Sequence, residues 1–162
     1  MTETDTNART IHADTDTALA PLFASQPLLW EKFRRFNATL RHGDSHQQRL
    51  QELCRLRIAA IHACDAEWQV QTPGTSVSGS ERQALMRGEP EGFAPHERAA
   101  LALAEKLPFD HHGITDSEVQ AVRAVIGDAG TVALMTAMAF ADVRCRWLVT
   151  MSAAFPSPSA NN

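Results

Sequence analysis

The sequence lacks tyrosine altogether, and only 6% of its 162 residues are aromatic. Valine and isoleucine are outnumbered by alanine and leucine, so the composition favours helices over β-sheet. Three cysteines are an odd number, and a chain of this length does not need disulfides to hold a core together. These shortages indicate a helical protein of a reducing compartment, which we expect to be the cytoplasm.

Positive charge and long apolar runs are also limited. The formal net charge is −4 and the isoelectric point is about 5.9, which argues against nucleic acid or an anionic membrane as the main partner. The sequence shows neither a charged-then-apolar leader nor an unbroken apolar run of about 18 residues. We therefore expect a soluble protein with no nucleic-acid and no membrane partner.

The remaining composition is enough for one folded domain, because 44% of the residues are hydrophobic. Residues 1–17 are rich in threonine and aspartate and have little to bury, which is typical of a disordered arm. We interpret residues 156–162 as a disordered tail. A single domain is expected over residues 18–155.

Apolar residues within this domain recur at three- and four-residue spacing, as they do along one face of a helix. Helix breaks are expected at Pro73-Gly74 and at Gly127, and helix starts at Ser80 and at Thr115, which opens a capping box. Residues 128–155 form the longest apolar stretch. Since no strand pattern competes, the sequence predicts an all-α bundle of about seven to eight helices.

The most informative stretch is residues 50–72, in which Glu52 precedes Cys64 by twelve residues. The intervening apolar residues predict a buried helix, and His62 with its neighbour alanine predicts a break. A second helix is expected over residues 64–71, with Cys64 at or within one residue of its N-terminus. Glu67 and Trp68 follow one turn later. A thiol at a helix N-terminus is favoured as thiolate, the reactive form, so Cys64 is a candidate nucleophile.

This stretch resembles the signature of the AhpD-like / carboxymuconolactone decarboxylase superfamily, in which a glutamate precedes Cys-x-x-Cys-x-x-x-His by the same interval. Here Glu67 stands at the position of the second cysteine, and Gln71 stands at the position of the histidine. The resemblance runs from about Pro21 to Ala154. It is also carried by Leu22-Phe23, Pro27-Leu28-Leu29, the helix from Gln51 to Ala60, Glu97–Glu105 and Ile114–Glu118.

The resemblance implies a helical alkylhydroperoxidase of the peroxiredoxin type, an antioxidant oxidoreductase that acts on a small molecule without a cofactor. In such a protein a dithiol reduces the peroxide, and a glutamate relays protons. The chain keeps Glu52 and one thiol, Cys64 at the first cysteine position. The second cysteine, which attacks the peroxide in that type, is replaced by Glu67, so the Cys-x-x-Cys cycle is impossible in this chain. The expected site is therefore a degenerate one-cysteine site, in which any turnover needs an external thiol.

Two other functions stay open. Glu52, Glu67 and His62 together suit acid–base chemistry on a lactone or keto acid, as in a decarboxylase. Alternatively, the chain is a catalytically silent scaffold that binds a small molecule, and Cys64 is a buried structural residue. Trp68 is then either a rim residue that stacks on a ring-shaped ligand or a core residue.

Other reactive side chains have weaker patterns. Cys54 and Cys145 lie in apolar helical stretches and are interpreted as core residues. His111 and His112 have no third ligand at metal-binding spacing, so no metal site is predicted. Gln71 is assigned to substrate binding only because the relay histidine of the resembling family would stand there.

The sequence also makes two geometric predictions. Glu52 should point into the same pocket as Cys64 and Glu67, which requires a chain reversal near His62, because a straight helix would separate the first two by about 18 Å. Residues 132–151 carry apolar groups on too many sides for one layer of neighbouring helices. A homo-oligomer is therefore expected, as a dimer or as the trimers and hexamers of the resembling superfamily.

Overall fold

A computed structural model of the protein describes residues 15–41, 43–151 and 154, and these residues include no strand. The predicted all-α class and the predicted helix number are confirmed. Most of the predicted arm and all of the predicted tail lie outside the described residues, although the first helix already includes three residues of that arm. The helices are α1 (Thr15–Leu19), α2 (Pro27–Leu40), α3 (Ser45–Ile61), α4 (Asp65–Trp68), α5 (Gly79–Arg87), α6 (Pro95–Lys106) and α7 (Asp116–Met151).

Side-chain caps fix several helix starts. The Asp44 carboxylate accepts a hydrogen bond from the backbone N–H of Gln47 and thereby opens α3. Thr115 opens α7 through the predicted capping box. The box that opens α5 uses Ser78 and Glu81, two residues earlier than predicted at Ser80.

The break between α3 and α4 is where the sequence predicts it. Helix α3 ends at Ile61, His62 is its C-cap, and Ala63 has a φ of 49°, in the left-handed region. Cys64 is the N-cap of α4, so the prediction that it lies within one residue of a helix start is confirmed.

Helix α4 is a single turn, although the sequence pattern predicts a helix over residues 64–71. Arginine side chains take the carbonyl oxygens that a longer helix would use. Arg55 donates to the carbonyls of Glu67 and Val70, and Arg82 donates to that of Trp68. The chain therefore leaves the helix after Trp68 and runs back alongside α3.

The long helix α7 is interrupted at Gly127, which has φ 69° and ψ −179°. A side chain on this residue would be strained at that φ, so glycine is the fitting residue there. The predicted break at this position is confirmed, and the two arms of α7 point in different directions.

Helix α3 packs against α6 and α7, and α2 covers the second arm of α7. The core beneath α2 is aromatic, with ring centroids 4.7 Å apart for Phe33 and Phe140 and 5.1 Å apart for Phe23 and Trp30. Edge-to-face and offset ring packing of this kind stabilises a core beyond its buried area. The aromatic cluster therefore fixes α2 over α7, which is the arrangement that forms the candidate site.

Helix α7 leaves much of its apolar surface uncovered. It is long and apolar enough to cross a membrane by length and composition, and only 28% of its most apolar window is buried. Val132 is 67% exposed and Val149 is 56% exposed. Such a surface is typical of a contact with another apolar surface, so the absence of a membrane partner stays a prediction.

We expect this surface to bind a second copy of the chain. Sedimentation should give a mass that is a multiple of 17.7 kDa at micromolar concentration. Val132→Glu should shift the distribution towards monomer, because it places a charge in the contact. Met86→Glu on α5, where the methionine is 49% exposed, is the control and should leave the mass unchanged. A monomer, or co-sedimentation with lipid vesicles, would contradict the expectation.

Candidate functional site

A cavity of about 260 Å³ lies between α2, α3, α7 and the segment after α4. Its volume is just below the range of about 300–1,000 Å³ that is typical of drug-sized ligand sites. The space therefore suits a small molecule. Its walls are formed by Asn37, Leu40, Arg41, Gln48, Gln51, Glu52, Arg55, Val70, Thr72, Pro73, Ala137, Phe140, Ala141 and Arg144.

Glu52 lines this cavity, and its position is fixed from two sides. Arg55 donates from Nη2 to Oε1 at 2.8 Å and from Nε to Oε2 at 3.0 Å, and Thr72 donates to Oε2 at 2.6 Å. Burial raises the pKa of Glu52, but the hydrogen bonds and charge of Arg55, together with Thr72, outweigh it and leave the pKa below its ordinary value. The carboxylate is thus ionised at neutral pH.

Behind Glu52, a buried ionic network continues to α4 and α7. Glu67 is fully buried, and its carboxylate meets Arg55 Nη1 at 3.2 Å and Arg144 Nε at 2.8 Å. Arg144 also donates to Asn37 Oδ1 at 3.0 Å. Each charge therefore has a partner of opposite sign, which is the condition for keeping charges inside a protein.

One nitrogen of Arg144 is only partly satisfied. Its Nη2 lies 2.6 Å from Glu67 Oε1, but the contact does not have hydrogen-bond geometry, and Nη2 makes no hydrogen bond to any described residue. The side chain is 95% buried, and Arg144 lines the cavity. Arg144 therefore brings a buried positive charge to the cavity lining, with Nη2 held in the ion pair with Glu67.

Positive charge predominates along the cavity wall. Arg41, Arg55 and Arg144 line it, with Glu52 as the one acidic side chain among its described lining residues. Arg41 is exposed and makes no ion pair with a described residue, so its guanidinium can reach a ligand at the mouth. The lining also includes apolar side chains, among them Leu40, Val70 and Phe140. The arrangement suits a small anion with an apolar body.

Cys64 lies outside the cavity, in the core, where it is 3% exposed. Glu67 does not line the cavity either, so the prediction of one pocket shared by Glu52, Cys64 and Glu67 is wrong. The chain does reverse near His62, but Arg55 and Arg144 lie between Glu67 and the open space. The physical reason is that Arg55 and Arg144 bind Glu67 and separate it from the cavity, and the sequence pattern does not predict these pairs.

His62 is bound elsewhere. Its Nε2 lies 2.6 Å from Asp142 Oδ1, and its ring packs 5.2 Å from that of Phe109. Arg146 binds the same aspartate. His62 therefore belongs to a surface cluster on α7 and does not line the cavity, so the predicted acid–base set of His62 with Glu52 and Glu67 is not assembled.

The two predicted substrate-binding residues also lie outside the cavity. Trp68 packs against the core, and the Arg82 guanidinium stacks over its ring at 4.7 Å. Of the two interpretations of Trp68, core packing is the one that the structure supports. Gln71 is exposed to solvent, between Val70 and Thr72, which do line the cavity.

Sequence reasoning missed Arg144, Asn37 and Cys145 as site residues. Cys145 and Cys64 belong to the same core cluster, although sequence spacing gives no sign that they do. For Arg144 there was a signal, because an arginine inside an apolar helix needs a buried partner. Among the described residues, no group of three or more His, Cys, Asp or Glu side chains could hold a metal ion.

A second space of about 370 Å³ lies on the surface between α5 and α6. Its acidic residue, Glu105, is 43% exposed and is bonded to Arg57. This groove offers no buried polar group to orient a ligand, so the cavity at Glu52 is the stronger candidate.

Comparisons with protein-family models, with curated proteins and with solved structures gave no match for this chain. The resemblance to the AhpD-like / carboxymuconolactone decarboxylase superfamily therefore stays a prediction.

Proposed function

We propose that this protein is a small-molecule enzyme of the AhpD-like / carboxymuconolactone decarboxylase type that binds a small organic anion in the cavity and moves a proton with Glu52. One observation carries the proposal: among the described residues that line the cavity, Glu52 is the only carboxylate, and at neutral pH it is the only ionised side chain there that can accept a proton. The other ionisable groups there are arginines, which stay charged.

The arginines that line the cavity would bind the anionic group of the substrate. Arg144 contributes a buried positive charge to the lining, and Arg41 offers an exposed guanidinium that is not ion-paired to a described residue. Guanidinium groups bind carboxylates with directed, charge-assisted hydrogen bonds. A substrate carboxylate held there would place its apolar body along Phe140 and its reacting carbon towards Glu52. This arrangement supports the lactone-acid or keto-acid alternative among the functions that the sequence suggests.

The peroxidase expectation stays a second candidate. A hydrogen bond from the Cys145 thiol, with the Glu67 backbone N–H and the Arg144 charge, lowers the pKa of Cys64. Burial and the Glu67 carboxylate oppose this effect. However, Cys64 is 3% exposed and lines neither the cavity at Glu52 nor the groove between α5 and α6, whereas peroxide turnover needs access to the thiol. The cavity thus favours acid–base chemistry.

The proposal predicts binding of small carboxylates. Titration calorimetry with benzoate, a keto acid and a lactone carboxylic acid should detect binding by at least one of them, and the neutral amide of that acid should bind at least tenfold more weakly. Arg41→Gln should weaken carboxylate binding by about three- to tenfold, because one charge-assisted contact is worth about 1.5 kcal/mol or less at an exposed position.

Arg35→Gln is the matched control for this experiment. Arg35 lies on the same helix as Arg41, is 81% exposed, and does not line the cavity. Its removal changes the net charge equally and should leave affinity unchanged. Equal binding of acid and amide, or equal losses in the two variants, would contradict anion recognition by this cavity.

A further inference from the structure

The Arg55 guanidinium has no N–H group left for a ligand. Its Nε and Nη2 bind the two carboxylate oxygens of Glu52, and Nη2 also donates to the carbonyl oxygen of Val70. Nη1 donates to the backbone carbonyl of Glu67 and to its carboxylate. A guanidinium carries five N–H groups, and these contacts use all of them. Arg55 therefore forms part of the cavity wall without offering a binding group.

The Arg144 guanidinium is also held by protein partners. Its Nε donates to Glu67 Oε1 at 2.8 Å, its Nη1 donates to Asn37 Oδ1 at 3.0 Å, and its Nη2 lies 2.6 Å from Glu67 Oε1. The positive charges of Arg55 and Arg144 are thus matched by the negative charges of Glu52 and Glu67. The buried part of the site is electrically neutral before any ligand binds.

Arg41 is the remaining cation of the lining. It is exposed and makes no ion pair with a described residue. The other polar side chains of the described lining are uncharged amides and one hydroxyl, on Asn37, Gln48, Gln51 and Thr72. Such groups bind carbonyl, ester and hydroxyl groups and bring no charge of their own. Among the described residues, the lining therefore has one positive charge without a counter-charge.

We propose that the cavity selects substrates with a single carboxylate, which pairs with Arg41, and that the Glu52 carboxylate excludes substrates with a second one. The inference rests on the function proposed above, because it names the substrate class of the same site. That class is a monocarboxylic acid whose other polar groups are uncharged. A second carboxylate would find no unpaired cation and would meet a like charge at Glu52.

The size of the cavity makes this repulsion effective. A sphere with the volume of this cavity would be about 8 Å across, which is about one Debye length at physiological ionic strength. Glu52 is only 3% exposed, so water screens its charge poorly. A second carboxylate anywhere in the cavity would therefore be repelled by Glu52. Rejecting a wrong ligand by a like charge is a usual source of specificity.

The test compares diacids with their own monomethyl esters, which keep the skeleton and remove one charge. Titration calorimetry at neutral pH is done with terephthalate and monomethyl terephthalate, and with α-ketoglutarate and its γ-methyl ester. In each pair that binds, the ester should bind about tenfold more tightly than the diacid, or better, because only the diacid places a second charge near Glu52.

Glu52→Gln should remove the preference for the ester. It eliminates the repelling charge, so the diacid should bind more tightly while the affinity for the ester changes by less than about threefold. Glu91→Gln is the matched control. Glu91 is exposed and does not line the cavity, so this variant changes the net charge equally and should keep the preference. Circular dichroism checks that both variants are folded.

The wild-type comparison decides the inference even if Glu52→Gln does not fold. Equal or tighter binding of the diacids would overturn the selection of a single charge and would leave anion binding by the cavity intact. A preference for the ester that persists in folded Glu52→Gln would overturn the role of Glu52. If neither member of either pair binds, anion recognition by the cavity fails, and this inference fails with it.

Discussion

Arg144→Met should lower the free energy of unfolding by about 3–5 kcal/mol, the usual loss when one partner of a buried ion pair is removed. Methionine replaces the apolar stem of arginine and fits an apolar core, but it removes the guanidinium group that binds Glu67. The cause is Glu67, which is fully buried and would keep only Arg55 as a partner. Urea unfolding followed by circular dichroism measures the change.

Two further variants isolate this cause. Arg146→Met removes a charge from the same helix, but Arg146 is 45% exposed, so the loss should stay near or below about 1 kcal/mol. Adding Glu67→Gln to Arg144→Met should recover part of the stability, because the double variant no longer buries a carboxylate that lacks its Arg144 partner. A loss below 1 kcal/mol for Arg144→Met, or no recovery in the double variant, would mean that this network contributes little.

The second large effect is expected on the rate of proton transfer to and from a bound substrate. Glu52→Gln should slow proton exchange at the reacting carbon of a bound substrate by about 10²–10⁴-fold, the usual contribution of a general base. Deuterium uptake from D₂O into the carboxylic acid that binds most tightly, followed by NMR, measures the rate. Glutamine keeps an oxygen for Arg55 and Thr72, so binding should change by less than about threefold.

The pH dependence gives an independent check. Because Arg55 and Thr72 hold the pKa of Glu52 below its ordinary value, its basic form persists as the pH falls from 7. The exchange rate should stay flat until the pH is below about 4.3, the ordinary pKa of glutamate. The stability contributed by Glu52 is lost over the same acidic range, so circular dichroism at each pH must show that the protein is still folded.

The outcomes separate the rival functions. Exchange that survives Glu52→Gln would exclude this carboxylate as the base. Tight binding without exchange in the wild-type chain would favour a silent binding scaffold. Loss of exchange in Cys64→Ser with Glu52 intact would move the reaction to the thiol.

The fold was predictable because its signals are local. Periodic apolar residues and breakers such as Gly127 specify helices within a few residues, whatever lies across the core. The capping box that begins at Thr115 lies where the sequence predicts it. By contrast, α4 is shorter than predicted because Arg55 and Arg82 take its carbonyls, and both arginines come from other helices.

The site was less predictable because its contacts join distant parts of the chain. Glu52 could be singled out from its spacing to Cys64, and it does line the cavity. The partner of Glu67 could not be predicted, because Arg144 lies 77 residues away and nothing in the sequence around Glu67 indicates that the two will meet. That Cys64 and Cys145 share one core cluster depends on how α7 packs, which helical periodicity leaves open.

The buried network also has a consequence for the uniqueness of the packing. A helix as rich in alanine, leucine and methionine as the second arm of α7 could pack in several registers, because such side chains interdigitate in many ways. Sliding it by one turn would move Arg144 about 5.4 Å and leave Glu67 without this partner. The ion pair thus discriminates against shifted packings, and the apolar surface supplies the free energy that holds the selected one together.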